Sequence, residues 1–372
     1  MAIVGAGPAG AAAALALSGS GLTVGIIEKA ILPRHKTCGG GVLRRAVALL
    51  PVDLRSAIER ECRAAELVHH SPVLRFVCRR EQPIISMVMR DRFDHLLTQA
   101  AEQGGAELFA GVAVSNVVTT SDHVRLSTSA GEFRAKFVIA ADGANSLIAR
   151  KIGAAEQRYV VPALECEVTL TAVEMQPLMR TARFDFGFVP SGYAWVFPKR
   201  EHLSIGVLTT KRGAANLPEQ YRRYLDHLGI GQPLHEDRRG YIIPCHPRGG
   251  MFDTPRVLWV GDAAGLVDPV TAEGITAGIL SGQLAARALV EGRCEQRRVQ
   301  RIYREALQVG LLKDLRIARW LAGVLYDHPM LRAGLLKRHG QRMSELITRI
   351  VTGETTYTAA VTRLGNYLKL FS

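Results

Sequence analysis

The chain has 372 residues, 48% hydrophobic and 22% charged, which excludes a disordered or fibrous chain and leaves room for about two globular domains. Its 47 basic residues exceed 34 acidic ones, a formal charge of +13, so anionic partners are expected: phosphorylated cofactors, a pyrophosphate-bearing substrate or lipid headgroups. The basic residues are dispersed and form no nucleic-acid-binding motif, so no nucleic-acid partner is expected.

The apolar run Ala2-Ile3-Val4 reads as a strand. It leads into Gly5-Ala6-Gly7-Pro8-Ala9-Gly10, an alanine-rich helix, and a second strand ending at Glu28. Gly5 permits the tight turn, Gly7 lets the backbone approach a pyrophosphate, and Gly10 lets the helix lie close to the sheet. The helix N-terminus offers free N–H groups to phosphates. Glu28, 18 residues after Gly10, is placed to accept hydrogen bonds from a ribose. The spacing predicts a dinucleotide site without choosing between NAD and FAD.

Arg34-His35-Lys36-Thr37-Cys38-Gly39-Gly40-Gly41 follows. Three basic groups, a thiol and three unshielded glycines are expected to form a loop pressed against a flat cofactor, where side chains would not fit. Residues 43–62 are expected to be a polar-faced helix, and 64–89 to hold short strands of a second sheet. A helix is expected from Arg90 to about Gln103, with Phe93 and Leu97 in the core. Segments 111–118, 124–127 and 132–135 read as an antiparallel meander. The buried strand Lys136–Ala141 ends at Asp142-Gly143, the strand end where ligands sit in open α/β sheets.

Strand-like alternation dominates 151–250. In Tyr193-Ala194-Trp195-Val196-Phe197-Pro198 the three rings share one face of a strand, as a core stripe or as the wall of an apolar pocket. Arg256–Val260 is another buried strand, followed by Gly261-Asp262-Ala263-Ala264-Gly265 and a helix over 275–289. A carboxylate beside a helix N-terminus suits a polar, anionic ligand. Residues 297–351 are expected to be amphipathic helices. Across 293–350, 13 basic residues face 5 acidic ones, a balance of +8, suiting either a cap on the core or a surface that docks on an anionic membrane.

The six cysteines (Cys38, Cys62, Cys78, Cys166, Cys245, Cys294) form no CxxC pair and no metal-ligand spacing, so no metal site and a reducing cytoplasm are expected. With the fold starting at residue 2, no signal peptide is expected. No run reaches the ~18 apolar residues that span a bilayer. The expected localisation is cytoplasmic, or peripheral to the inner face of the membrane.

In order, Gly5–Glu28, the Arg90 helix start, Asp142-Gly143 and Gly261-Asp262 resemble the FAD-binding pattern of the flavoprotein monooxygenase superfamily, the para-hydroxybenzoate hydroxylase fold. Within it the chain is most similar to the geranylgeranyl reductase family. The carrying stretches are Arg34–Gly41, Arg90-Asp91-Arg92-Phe93-Asp94, the YxWxFP stretch Tyr193–Pro198, Gly261–Gly265 through Glu273-Gly274-Ile275, and Val351–Tyr357. Two features depart from the pattern: Ala272 stands where the family usually has glycine, and the first strand starts short.

The resemblance implies an α/β fold: a discontinuous Rossmann-like FAD-binding domain (1–64, 90–150, 245–292), an α+β substrate domain with an antiparallel sheet (65–89, 151–244) and a helical C-terminal region (293–372). It implies FAD contacts at Gly5, Gly7, Ala9, Gly10, Glu28, Lys29, Cys38, Gly39, Gly40, Arg90, Val114, Asp142, Gly143, Gly261, Asp262, Gly274 and Ile275. It also implies a pocket walled by Tyr193, Trp195 and Phe197, with Cys38, Tyr193 and Trp195 as catalytic candidates. The expected reaction is reduction of carbon–carbon double bonds in a prenyl chain, with NADPH or another reductant as electron donor. A flavin monooxygenase is the alternative chemistry on the same fold. Halogenases of this fold carry WxWxIP, which this chain lacks. A third reading is an electron-transfer flavoprotein with an exposed flavin edge.

Overall fold

A computed structural model describes residues 1–153, 160–211, 216–247 and 251–362. Its centre is a six-stranded sheet in the spatial order 253–254, 257–259, 138–140, 2–4, 25–28, 107–110. All neighbours are parallel except the hairpin of Asp253–Thr254 with Val257–Trp259. Its central strands are short, apolar and buried, as expected for parallel strands covered on both faces. The chain leaves Ala2–Val4 toward one edge and returns toward the other. The C-terminal ends of Ala2–Val4 and Val138–Ala140 therefore flank the switch point where open α/β sheets bind ligands.

Two helices, Pro8–Leu17 and Ile275–Glu291, pack closely on this sheet and on each other. Small residues make the approach feasible: a Cβ on Gly282 would meet the Ala9 carbonyl oxygen at 2.2 Å. Such a contact forbids any larger side chain there unless the helices separate. The sites of cofactor-pattern residues on both helices are thereby fixed relative to one another.

A second, seven-stranded sheet lies over the C-terminal edge of the first. Its order is 235–244, 160–169, 203–209, 192–198, 182–186, 64–70, 73–79. It is antiparallel except where Ala182–Phe186 runs parallel to Ala64–His70. Alternation along Gly192–Pro198 divides the faces. Ala194 and Val196 pack with Tyr221 and Tyr224 from the helix Leu217–His227, while Tyr193 and Trp195 turn toward the first sheet. The antiparallel meander is present as Val114–Thr119, Val124–Thr128 and Gly131–Ala135.

The expected helix over 43–62 is not observed. Only Arg44–Val47 is helical, and Ile58–Cys62 is a strand paired with Ile85–Val88. Pro51 accounts for the early stop, because it lacks an N–H and disfavours helical backbone at the preceding residue. Ile85–Val88 also pairs with Gly41–Leu43, which anchors the end of the glycine loop.

The C-terminal region forms the helices Gln296–Leu307, Lys313–Asp327 and Pro329–Thr352, the first two joined by a π turn at Gln308–Leu312. Arg304 and Gln300 grip the Asp253 carboxylate, tying these helices to the edge of the first sheet. The last ten residues of the expected helical region lie outside the described residues.

Candidate functional site

A single cavity of about 800 Å³ lies between the two sheets. It runs from Gly7, Glu28 and Lys29 past the glycine loop and Asp262 into the aromatic face of the second sheet. Of the residues expected to contact FAD, only Gly10 is absent from its lining. Gly10 sits beneath the turn, where a Cβ would lie 1.9 Å from the Gly5 carbonyl oxygen, so it sets the helix–strand distance.

At the first end, the Glu28 carboxylate accepts N–H bonds from Ala6 (2.9 Å) and Ala30 (3.1 Å) and lies 3.7 Å from Arg34. It therefore locks the glycine turn to the next strand. Arg34 also pairs with buried Asp94 (3.0 Å), which takes a bidentate grip from Arg90 at 2.8 and 2.9 Å. Burial opposes the Arg90 charge, but Asp94 and the nearby Cys38 outweigh it and hold the guanidinium firmly protonated. Arg92, its neighbour in the expected pattern, points elsewhere and pairs with Glu59 at 2.8 Å.

Lys36 lies in the middle of the cavity, its ammonium 3.4 Å from the Tyr241 ring centroid. Burial and the neighbouring Arg90 push its pKa down to about 8, against Asp262, Cys38 and Asp94. Burial raises the Asp262 carboxyl above its ordinary range, countered by Lys36 and Arg90. A Cβ on Gly274 would meet Asp262 Oδ1 at 2.8 Å, so glycine there leaves the carboxylate its space. Burial likewise raises Asp142, whose Oδ2 accepts the Ile148 N–H while Oδ1 is buried with no hydrogen-bond partner.

The loop Leu266–Gly274 is braced from three directions. Tyr193 donates to the Thr271 carbonyl at 2.6 Å and Tyr326 to the Val270 carbonyl at 2.5 Å. Tyr357 donates to Asp268 at 3.0 Å, and Arg45 pairs with Asp268 (3.2 Å) and Glu273 (3.6 Å). Val351–Tyr357 thus acts at a distance, by holding the loop. Ala272 has φ of 54° in this loop, a left-handed conformation that glycine adopts without strain.

The glycine loop is crowded by protein. A Cβ on Gly39 would lie 3.0 Å from Phe197 and 3.1 Å from the Trp195 indole nitrogen. Gly40, at φ 70°, would place one 2.1 Å from the Val88 carbonyl oxygen and 2.4 Å from Lys199 Nζ. Lys199 is fully buried and donates to the Gly39 (2.7 Å) and Val88 (2.8 Å) carbonyls. It fastens the end of the aromatic strand to the loop. Cys38 lines the cavity, its Sγ accepting the Gly40 N–H at 3.4 Å.

Beyond the loop the lining turns apolar. Phe184, Phe186, Tyr193, Trp195, Phe197, Leu67, Ile85 and Val270 enclose it, and the rings touch edge to face or tilted. Trp195 lies flat across Gly206, where a Cβ would fall 2.1 Å from the indole. Glu165 and Tyr241 complete the wall; neither these nor Lys199 is marked by any sequence motif considered above.

These residues fit FAD. The cavity offers a glycine turn at a helix N-terminus, an acid on the next strand, cations for a pyrophosphate, and Asp142 and Asp262 as acceptors for hydroxyls. The unpaired Asp142 Oδ1 is the mark of a site whose polar partner is a ligand. Residues 1–192 match the FAD binding domain family. The chain is 32% identical over 316 residues to digeranylgeranylglycerophospholipid reductase 1 of Methanopyrus kandleri, covering 78% of this chain and 80% of that protein. It is 32% identical over 315 residues to the chloroplastic geranylgeranyl diphosphate reductase of Oryza sativa subsp. japonica, covering 78% of this chain and 66% of that one. A geranylgeranyl bacteriochlorophyll reductase-like protein from Thermoplasma acidophilum shares the fold, with TM-score 0.78 and 23% identity over 99% of this chain and 94% of that one. With a cofactor domain across half its length and relatives aligned along most of theirs, this chain belongs to the geranylgeranyl reductase family of FAD-dependent oxidoreductases.

Proposed function

We propose that the protein reduces isolated carbon–carbon double bonds in a prenyl chain that carries an anionic head. The observation that carries this reading is the continuity of one cavity, polar and cationic at the cofactor end and aromatic at the other. Reduced FAD bound at the polar end supplies hydride. The relatives named for a prenyl diphosphate and a prenyl glycerophospholipid favour the same substrate class.

An isolated alkene has no carbonyl to draw electron density, so positive charge builds on a tertiary carbon as a proton arrives. The faces of Trp195, Phe197 and Phe184 stabilise such charge through their quadrupoles, and their apolar surface excludes water that would capture it. Tyr193 serves as wall and brace. Its hydroxyl is committed to the Thr271 carbonyl, and burial raises its pKa far above neutrality. Cys38 and the glycine loop would border the flavin ring, and Arg90 and Lys36 would hold the anionic cofactor.

NADPH or another reductant reloads the flavin. No helix among the described residues is long and apolar enough to cross a membrane. The substrate is drawn from a membrane surface at which the basic C-terminal helices dock. Trp320 and Met330 stand 62% and 86% exposed there, with Arg316 and Arg319 beside Trp320.

Incubating the FAD-loaded protein anaerobically with dithionite and prenyl lipids tests the reaction. Mass spectrometry is expected to show a gain of about 2 mass units for each double bond reduced, because one hydride and one proton add. Substrate-dependent flavin turnover that requires oxygen, with no such gain, favours the monooxygenase chemistry instead.

A further inference from the structure

A hydride transfer to an alkene leaves one proton to be supplied, and the cavity wall holds a group suited to supply it. Glu165 lies on the strand Val160–Thr169, buried, with its side chain on the cavity face. Cross-strand register puts Glu165, Gly206 and Trp195 in one row. Because Gly206 has no side chain, the Trp195 ring lies across that row toward the acid. Ser204 links the two, donating to Glu165 Oε1 at 3.0 Å and accepting the Trp195 indole N–H at 3.4 Å.

Glu167 is two residues along the same strand and so faces the same side. The two carboxyls adjoin, and His202 Nε2 lies 3.0 Å from Glu167 Oε2. The side chains of His202 and Glu167 are each partly open to solvent, while the two facing atoms are buried against each other. Lys199 and Cys38 also act on Glu165, and His35 and Lys199 act on Glu167. Arg239, directly opposite Glu165 on the neighbouring strand, is bound to its own Asp237 at 2.9 Å.

Burial and the charge of Glu167 push Glu165 well above the usual carboxylate range. Despite its burial, Glu167 is held low by His202 and Lys199. Two carboxyls this close share one proton, and the environment assigns it to the cavity-facing member.

We propose that Glu165 is the catalytic acid of the reduction, and that Glu167 and His202 form the path by which its proton is replaced from solvent. The proposal rests on the alkene-reductase reading above. The alkene π pair forms a C–H bond to the Glu165 proton as the acid's O–H bond breaks. The other alkene carbon takes hydride from reduced flavin, oxidising the flavin by two electrons. A carboxylic acid is too weak to protonate an isolated alkene by itself, so the two transfers are concerted. Water, through His202 and Glu167, returns one proton to the Glu165 carboxylate, and a reductant of the NADPH class returns a hydride, two electrons and one proton, to the flavin.

The test uses the FAD-loaded full chain and the variants Glu165→Gln, Glu167→Gln and Cys38→Ser. Infrared spectroscopy without substrate reads the carbonyl stretch of a protonated carboxylic acid. At neutral pH, well above the ~4.3 of a free glutamic acid, a band lost in Glu165→Gln and kept in Cys38→Ser is expected. Other buried carboxyls such as Asp262 can add to that band, so a spectrum from which Glu165→Gln removes no component overturns the proposal. In anaerobic single turnovers, Glu165→Gln is expected to slow substrate-driven flavin reoxidation by about 100-fold or more, with FAD affinity and dithionite reduction unchanged. Glu167→Gln is expected to slow repeated turnover more than the first. A Glu165→Gln protein at the wild-type rate, or a Cys38→Ser protein that alone shows the loss, overturns the donor assignment and leaves the reductase reading intact. Wild-type protein that reduces no prenyl chain overturns that reading, and the donor role with it.

Discussion

Lys36 shows how strongly one residue depends on what fills the cavity. It is buried between a guanidinium and a carboxylate, and its pKa is pushed down to about 8 by burial first and by Arg90 second. An anionic cofactor beside it favours the charged form. FAD binding above pH 8 must therefore take up a proton, and affinity is expected to fall as pH rises from about 8 toward 10, by up to about tenfold per unit. Below pH 8 the ammonium is already charged and affinity is expected to be flat. Fluorescence titrations with Lys36→Met are expected to show weaker binding at pH 7 and no decline above pH 8. A decline that persists in the variant assigns the titration to another group.

Among the elements, the loop Leu266–Gly274 carries the heaviest demand, since it holds Glu273 and Gly274 at the cofactor end and Val270 at the substrate end, and is anchored through Asp268. Removing the hydroxyl that the C-terminal segment places on Asp268 tests the brace. Tyr357→Phe is expected to lower the unfolding free energy by about 1–2 kcal/mol in denaturant titrations. FAD affinity is expected to fall with it, because the loop shapes the site. Unchanged FAD affinity with lowered stability separates the helical cap from the cofactor site.

Sequence pattern made some of these elements legible and hid others. The glycine turn, the helix Arg90–Gln103 and the aromatic strand announce themselves, because turn chemistry and period are local properties. The strand Ile58–Cys62 does not, because its state is decided by pairing with Ile85–Val88. Glu165 and Lys199 were invisible for a related reason. Glu165 sits on a strand and Lys199 just past the end of one, but only the folding of one sheet over the other shows which groups meet the cofactor loop. Val351–Tyr357 stood out as a motif, yet its task, holding Asp268, spans 89 positions of sequence.

At the scale of the whole molecule, the charge of +13 acts over distances of about a Debye length and adds to the exposed apolar side chains of the C-terminal helices. Each basic residue near an anionic surface contributes about 1 kcal/mol. Arg316→Glu/Arg319→Glu protein is therefore expected to sediment with phosphatidylglycerol vesicles at least about tenfold less well than wild type, and both proteins less well as salt rises. Trp320→Ala is expected to weaken binding with little change in its salt dependence. Equal binding of wild type to phosphatidylcholine vesicles assigns the attachment to apolar contact alone. Activity on a detergent-dispersed substrate is expected to survive all three substitutions.

The shared cavity has a consequence for the order in which the protein is assembled with its ligands. Among the described residues no wall of protein divides the polar end from the aromatic end, so a bound cofactor would itself supply the partition. A flavin that arrives first would leave the prenyl chain only the aromatic half. A lipid tail that arrives first meets no such stop and competes for space with the cofactor. In a cell short of flavin, the substrate would then become an inhibitor of the enzyme's maturation.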